Sequence, residues 1–190
     1  IYDEGVFFTI ASVEPKMKER TLTLNGVSKA YCMTGWRLGY CGGPREIIAG
    51  MNKIQSQSTT STSSISMAAS VEALSGDQEF INLHNIQFKK RRDMVVENLN
   101  QIDGINCSIP PGAFYVYPSC EGIIGKKTSA GNTINTDEDF MNFLLESEGI
   151  AGVHGEAFGL SPYFRLSYAT DEKTLADACN RIERACNNLK

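Results

Sequence analysis

The sequence predicts an α/β protein in two parts, and three observations lead there. Short β-favouring runs alternate with stretches whose apolar residues recur at helical spacing. One helical stretch, 78–102, is long enough to separate a first half from a second. The composition is that of a globular protein: of 190 residues, 42% are hydrophobic and 21% charged, which supplies a core without help from disulfides or a metal.

Residues 1–24 open extended, turn at Glu14-Pro15-Lys16 and end in a β-favouring run at 21–24 (TLTL). Asn25-Gly26-Val27-Ser28-Lys29 follows as a turn of small residues. Residues 36–42 (WRLGYCG) read as a second short strand. Gly43-Pro44 then suits a helix entry with proline in the first turn. That helix carries Ile47, Ile48, Met51 and Ile54 at helical spacing. The Ser/Thr-rich stretch 56–66 leads directly into helical sequence at 67–74, so it reads as an ordered connection. Gly76-Asp77 restarts the chain into the long helix, whose buried positions are Phe80, Leu83, Phe88, Met94, Val95, Leu99 and Ile102.

Pro110-Pro111-Gly112 marks a change of character. After it come a strand at 113–117, a polar loop at 120–136, and a helix at 137–147 for which Asp137 is the expected cap. Short strands at 150–153 and 163–168 precede a closing helix at 171–189. On that helix Leu175, Cys179, Ile182, Cys186 and Leu189 recur at intervals of four and three, which defines one buried stripe. The second half therefore reads as a compact α+β unit. The expected divisions are 1–77, a connecting helix at 78–103, and 104–190.

Composition excludes several function classes. Lys+Arg 18 against Asp+Glu 22 gives a formal charge of −4, which argues against a nucleic-acid partner. No apolar run reaches the ~18 residues of a membrane span. The six cysteines form no CxxC pair, and only His84 and His154 could join them, so no metal site is expected. Cys179 and Cys186 read as small buried hydrophobes. Free thiols with no leader pattern before them point to a reducing compartment, the cytoplasm by default. The chain starts at Ile1 inside strand-like sequence, and the expectation is a piece of a longer protein. Lys89-Lys90-Arg91-Arg92 reads as a solvated helix face. Gly39–Gly43 lacks the spacing and the lysine of a phosphate-binding loop. A lone loop histidine such as His154 reads as structural or solvent-facing.

Lys29 carries the most chemical weight. It lies within Gly26-Val27-Ser28-Lys29-Ala30-Tyr31-Cys32-Met33-Thr34-Gly35-Trp36-Arg37-Leu38-Gly39. An amine flanked by apolar bulk, with a second cation eight residues on, is expected in the neutral form that attacks a carbonyl carbon. Arg37 would suit a phosphate near that amine.

This stretch resembles the signature around the cofactor lysine of class I aminotransferases, which are fold-type I pyridoxal-phosphate enzymes. Residues 21–44 (TLTLNGVSKAYCMTGWRLGYCGGP) are similar to the bacterial aspartate aminotransferase branch. Residues 111–118 (PGAFYVYP) resemble the family's entry to its small domain, and 157–170 (AFGLSPYFRLSYAT) its carboxylate-binding strand. Residues 122–127 (GIIGKK) are similar to α-proteobacterial members. Departures are Cys32 where a small residue is usual, the 58–64 run (STTSTSS) without the frequent Asn-Pro, and His154-Gly155-Glu156 in place of a Pro-Gly pair.

The resemblance implies the C-terminal part of a large, mostly parallel α/β domain, followed by a small α+β domain. It implies that Lys29 bonds to pyridoxal 5'-phosphate and then moves the substrate proton. Arg37 would contact the cofactor phosphate. Arg165 would bind the substrate α-carboxylate by a two-point fork that lysine cannot reproduce. Amino-acid and 2-oxo-acid substrates and a homodimeric enzyme follow from the same resemblance, and composition adds the expectation of no nucleic acid or membrane partner.

An acidic partner of the pyridinium nitrogen is expected upstream of Ile1. The 190 residues alone are therefore expected to be inactive, with apolar surface exposed. The implied reaction is amino transfer between L-aspartate and 2-oxoglutarate. The alternatives are a prephenate or aromatic aminotransferase, and a non-catalytic effector-binding domain of a regulator.

Overall fold

The computed structural model describes all residues, Ile1–Lys190. They fall into two compact units, Val6–His84 and a second made of Ile1–Gly5 with Asn85–Lys190.

The Val6–His84 unit opens with two single-turn helices, α1 (Ile10–Val13) and α2 (Pro15–Lys18). The sequence reads extended here, and four-residue helices are too short to leave a periodic pattern. Pro15 takes the first position of α2, where its missing N–H costs nothing. Strand β1 (Thr23–Gly26) pairs antiparallel with β2 (Gly39–Gly42), in a register running from Thr23 opposite Gly42 to Gly26 opposite Gly39. β1 lies two residues later than 21–24 suggests, β2 is shorter than 36–42 suggests, and residues 34–36 form a 3-10 turn instead. Helices α3 (Arg45–Gln57) and α4 (Ser64–Ser75) follow, and α5 (Glu79–Asn100) begins. Residues 58–63 link α3 to α4 with local hydrogen bonds, such as Thr60 N–H to the Gln55 carbonyl at 2.8 Å. Apolar side chains lie at the surface of this unit: Phe7, Phe8, Ile54 and Ile65 are each at least 70% exposed.

The other unit holds the main core. It contains the rest of α5, β3 (Tyr115–Val116), α6 (Asp137–Glu148), β4 (Val153–His154), β5 (Phe164–Ser167) and α7 (Glu172–Asn187). The sheet order is β3-β5-β4, with β5 central and both pairings antiparallel. The chain is thus a mixed helix and strand protein, as expected. Its own strands nevertheless pair only antiparallel, so the parallel sheet implied for the first part is not formed among these residues. Val95, Val96 and Leu99 from α5, Phe140 and Leu144 from α6, and Leu175, Cys179 and Ile182 from α7 pack with Val116 and Phe164 of the sheet. Burying each large apolar side chain contributes about 1.5–3 kcal/mol. The stripe expected on α7 is the buried one: Cys179 and Cys186 are both in the core.

Two further sequence expectations change. Asp137 does not cap α6. The cap is Thr136, whose Oγ1 accepts the Asp139 N–H at 3.1 Å, while the Asp139 carboxylate accepts the Thr136 N–H at 3.1 Å. This reciprocal pair satisfies two N–H groups that the helix start leaves open. Asp137, one residue on, is buried. The basic run on α5 is also not wholly solvated. Lys89 and Lys90 are exposed and pair with Asp3 and Glu172. Arg92 is buried, donating to Asp3 at 3.0 Å, Asp93 at 2.8 Å and the Pro110 carbonyl at 3.1 Å, with its guanidinium over the Tyr2 ring. A buried guanidinium holds its charge only when its donors are matched in this way. Arg92 and the Tyr2 N–H, bonded to the Pro111 carbonyl at 2.9 Å, fasten Ile1–Gly5 to this unit.

Candidate functional site

Lys29 and Arg37 sit in one loop, 27–38, closed at its base by Gly26 and Gly39. A Cβ on Gly26 would lie 3.3 Å from the Leu38 carbonyl, and one on Gly39 would lie 3.3 Å from the Asn25 carbonyl. Glycine therefore allows the strands to close tightly where the loop begins. Within the loop the Cys32 N–H bonds to the Lys29 carbonyl and the Met33 N–H to the Ser28 carbonyl, both at 3.1 Å. This curls residues 28–33 into a turn, with Cys32 in the left-handed region at φ 53.

Of the apolar residues around Lys29, Val27 and Met33 are buried, while Lys29 itself is exposed. Arg37 ends the 3-10 turn in a left-handed conformation, φ 51 and ψ 49. Its Nη1 donates to the Thr34 carbonyl at 3.0 Å, it is exposed, and no carboxylate pairs with it. The groove between the hairpin and α3, lined by Leu24, Tyr40, Ile48 and Met51, includes neither cation.

Arg165 lies in the other unit, on the central strand β5 opposite Val153 of β4. Its guanidinium carbon is 4.5 Å from the centre of the Tyr115 ring and 4.6 Å from that of Phe158. The cross-strand register explains the first contact. Tyr115 is opposite Ser167, two residues from Arg165, and alternate residues share a face. Phe158 comes from a 3-10 turn, Gly155–Phe158, that follows β4 directly. Tyr117 braces that turn, its hydroxyl lying 3.1 Å from the Gly155 carbonyl and 3.3 Å from the Leu160 carbonyl. Burial pushes the Tyr117 phenol above its ordinary value; Asp137 adds to this and Arg165 opposes it. The phenol therefore keeps the proton it donates.

Asp137 secures the other side of the turn, accepting the Glu156 N–H at 2.9 Å and the Ser161 hydroxyl at 2.8 Å. Burial works against its charge, but these hydrogen bonds outweigh burial and hold its carboxyl below the usual range. His154 of β4 lies opposite Phe164 of β5 and is half-buried.

Arg165 makes no ion pair, whereas Arg92, Arg181 and Arg184 each pair with a carboxylate. Arg37 and Arg165 are therefore positive charges still able to take an anion. Tyr115, Tyr117, Phe158 and Asp137 were not singled out as site residues from the sequence. The alternation of Tyr115 and Tyr117 on a strand was the available signal.

Over residues 1–182 the chain matches the family model described as aminotransferase class I and II. It is 56% identical to a probable aspartate/prephenate aminotransferase of Rhizobium leguminosarum bv. phaseoli, over 100% of this chain and 47% of that protein. It is 55% identical to an aspartate aminotransferase of Rhizobium meliloti (strain 1021), over 100% of this chain and 46% of that protein. The crystal structure of the aspartate aminotransferase from Rhizobium meliloti superposes with a TM-score of 0.97 at 55% identity, covering 100% of this chain and 48% of that one. The chain spans about half the length of the relatives it matches.

Proposed function

This chain belongs to the class I and II aminotransferases, and from that premise we propose that the whole protein carrying it transfers an amino group between L-aspartate and 2-oxoglutarate with pyridoxal 5'-phosphate as cofactor. The observation that carries this reading is the donor set of the 27–38 loop. One exposed amine and one guanidinium not paired with a carboxylate rise from a single glycine-closed turn. An amine suits an aldehyde and a guanidinium suits a phosphate, so the residues present fit a phosphorylated aldehyde.

When bound, the cofactor supplies an aldehyde that takes up the amino group and a ring that stabilises the electron pair left on the substrate carbon. Lys29 would hold the cofactor aldehyde through Nζ, and the same amine, released when the substrate amino group takes its place, would move the proton at the substrate α-carbon. Arg37 holds the phosphate with the N–H groups that Thr34 does not use. Arg165 orients the substrate by gripping its α-carboxylate with two parallel hydrogen bonds.

The same reading includes a homodimer, supported by the apolar residues at the surface of the Val6–His84 unit. It places the enzyme in the cytoplasm, supported by six unpaired cysteines. Prephenate is a second acceptor to consider, since a relative 56% identical is named an aspartate/prephenate aminotransferase.

The test is steady-state amino transfer by the whole protein from aspartate to 2-oxoglutarate, and from aspartate to prephenate. Lys29→Ala is expected to lower kcat by a factor on the order of a thousand. Undiminished turnover in that variant would refute the assignment. The ratio of the two acceptor activities decides between the substrate readings.

A further inference from the structure

A guanidinium that must bind a carboxylate by a planar fork faces two requirements. Its plane has to be fixed, and its N–H donors have to remain available. Most arginines are fixed by hydrogen bonds or ion pairs, which occupy those donors, as at Arg92 and Arg184. Arg165 is held differently. Its guanidinium carbon lies over two rings, Tyr115 at 4.5 Å and Phe158 at 4.6 Å, while none of its N–H groups enters an ion pair in the chain. Ring faces attract the cation through their quadrupole and occupy no donor. Both requirements are met together.

The rings are themselves fixed. Tyr115 is set by the β3–β5 register. Phe158 belongs to the turn that Tyr117 and Asp137 brace from either side. Gly155 permits the tight start of that turn, because a Cβ there would collide with the Leu160 carbonyl and would lie 2.8 Å from the Tyr163 carbonyl and 2.9 Å from the Tyr117 hydroxyl.

We propose that Tyr115 and Phe158 are positioning residues for substrate: they clamp Arg165 between their faces and present its N–H edge, already oriented, to the incoming carboxylate. The proposal rests on the reading of Arg165 as the carboxylate-binding residue. Neither ring contacts the substrate in this scheme, and both act through the arginine. A looser guanidinium must be ordered at the moment of binding, which weakens the ground-state complex and the transition state alike. The clamp therefore governs KM more than kcat.

The experiment uses the whole enzyme and succinate, a non-reactive dicarboxylate, as the probe. Succinate affinity is measured by titration calorimetry, alongside kcat and KM for aspartate. Tyr115→Leu and Phe158→Leu are each expected to weaken succinate binding and raise KM by about tenfold, with kcat changed by less than about threefold. Tyr115→Phe and Phe158→Tyr, which keep a ring face, are expected to restore both values. Phe158 is half exposed, so Phe158→Leu is a mild change for folding.

Unchanged succinate affinity in both leucine variants, while Arg165→Ala weakens it, would overturn the clamp and leave the reading of Arg165 intact. A loss in Tyr115→Phe as large as in Tyr115→Leu would also overturn it, because the hydroxyl and not the ring would then be at work. Succinate affinity unaffected by Arg165→Ala would remove the underlying reading, and the clamp with it.

Discussion

The Asp137 carboxylate accepts a 2.8 Å hydrogen bond from the Ser161 hydroxyl, joining the first turn of α6 to the segment that leads into β5. Its other oxygen takes the Glu156 N–H at 2.9 Å. One buried acid thus ties down both ends of the stretch that carries Phe158.

Removing that acid should be costly. Asp137→Ala leaves the Ser161 hydroxyl and the Glu156 N–H without their buried acceptor, and about 2–3 kcal/mol of stability should be lost. Asp137→Asn keeps one acceptor oxygen and should lose less. Urea unfolding of the three proteins, followed by circular dichroism, measures the order.

The same group sets a response to acid. Burial opposes its charge, but hydrogen bonds from Ser161 and the Glu156 N–H prevail, so its folded value lies below the ordinary 3.8. A carboxyl of lowered pKa contributes stability that is fully present above its unfolded value and is lost as pH falls through the folded one. The Asp137 contribution should be complete above about pH 5 and decline below about pH 4. Asp137→Asn should flatten that part of the stability curve, which unfolding midpoints measured across the acid range would reveal.

Much of the fold could be read in advance, and the remainder failed for identifiable reasons. The α7 stripe, Leu175 to Cys186, was legible because an extended periodic pattern reports burial directly. α5 was legible as a long helix, but of the positions expected to be buried there Val95, Leu99 and Ile102 are in the core, Phe80, Phe88 and Met94 are half-buried and Leu83 is 55% exposed. The α6 cap was misplaced by one residue because Thr136 and Asp137 are both good caps. Only the reciprocal pairing of Thr136 with Asp139 separates them. Lys29, Arg37 and Arg165 stood out through the short runs around them. Tyr115 and Phe158 did not, because their contact with Arg165 depends on strand register and on a turn, neither of which spacing along the chain encodes.

Gly155 should be intolerant of any side chain. A Cβ there would collide with the Leu160 carbonyl and press on the Tyr163 carbonyl and the Tyr117 hydroxyl. Gly155→Ala should cost about 1–3 kcal/mol and displace the Phe158 turn. Thermal unfolding should show the loss, and near-ultraviolet circular dichroism should show an altered setting of the aromatic rings.

The thiols should divide into two classes. Burial pushes Cys107 up to about 11, and Cys120 and Cys186 up to about 12. Cys179 is raised by burial too, with Asn98 opposing. Cys32 is exposed and Cys41 half-buried. Iodoacetamide at neutral pH should label Cys32 first and leave the four core thiols unmodified until denaturant is added. Peptide mapping gives the order, and early labelling of Cys120 or Cys186 would contradict the packing described.

Covalent trapping at Lys29 tests the functional assignment most directly. The whole protein is mixed with pyridoxal phosphate, reduced with borohydride, digested and mapped by mass spectrometry. The cofactor is expected on the peptide that bears Lys29, and the modification should vanish in Lys29→Ala. A stable modification on another lysine, with Lys29 itself unmodified, would contradict it.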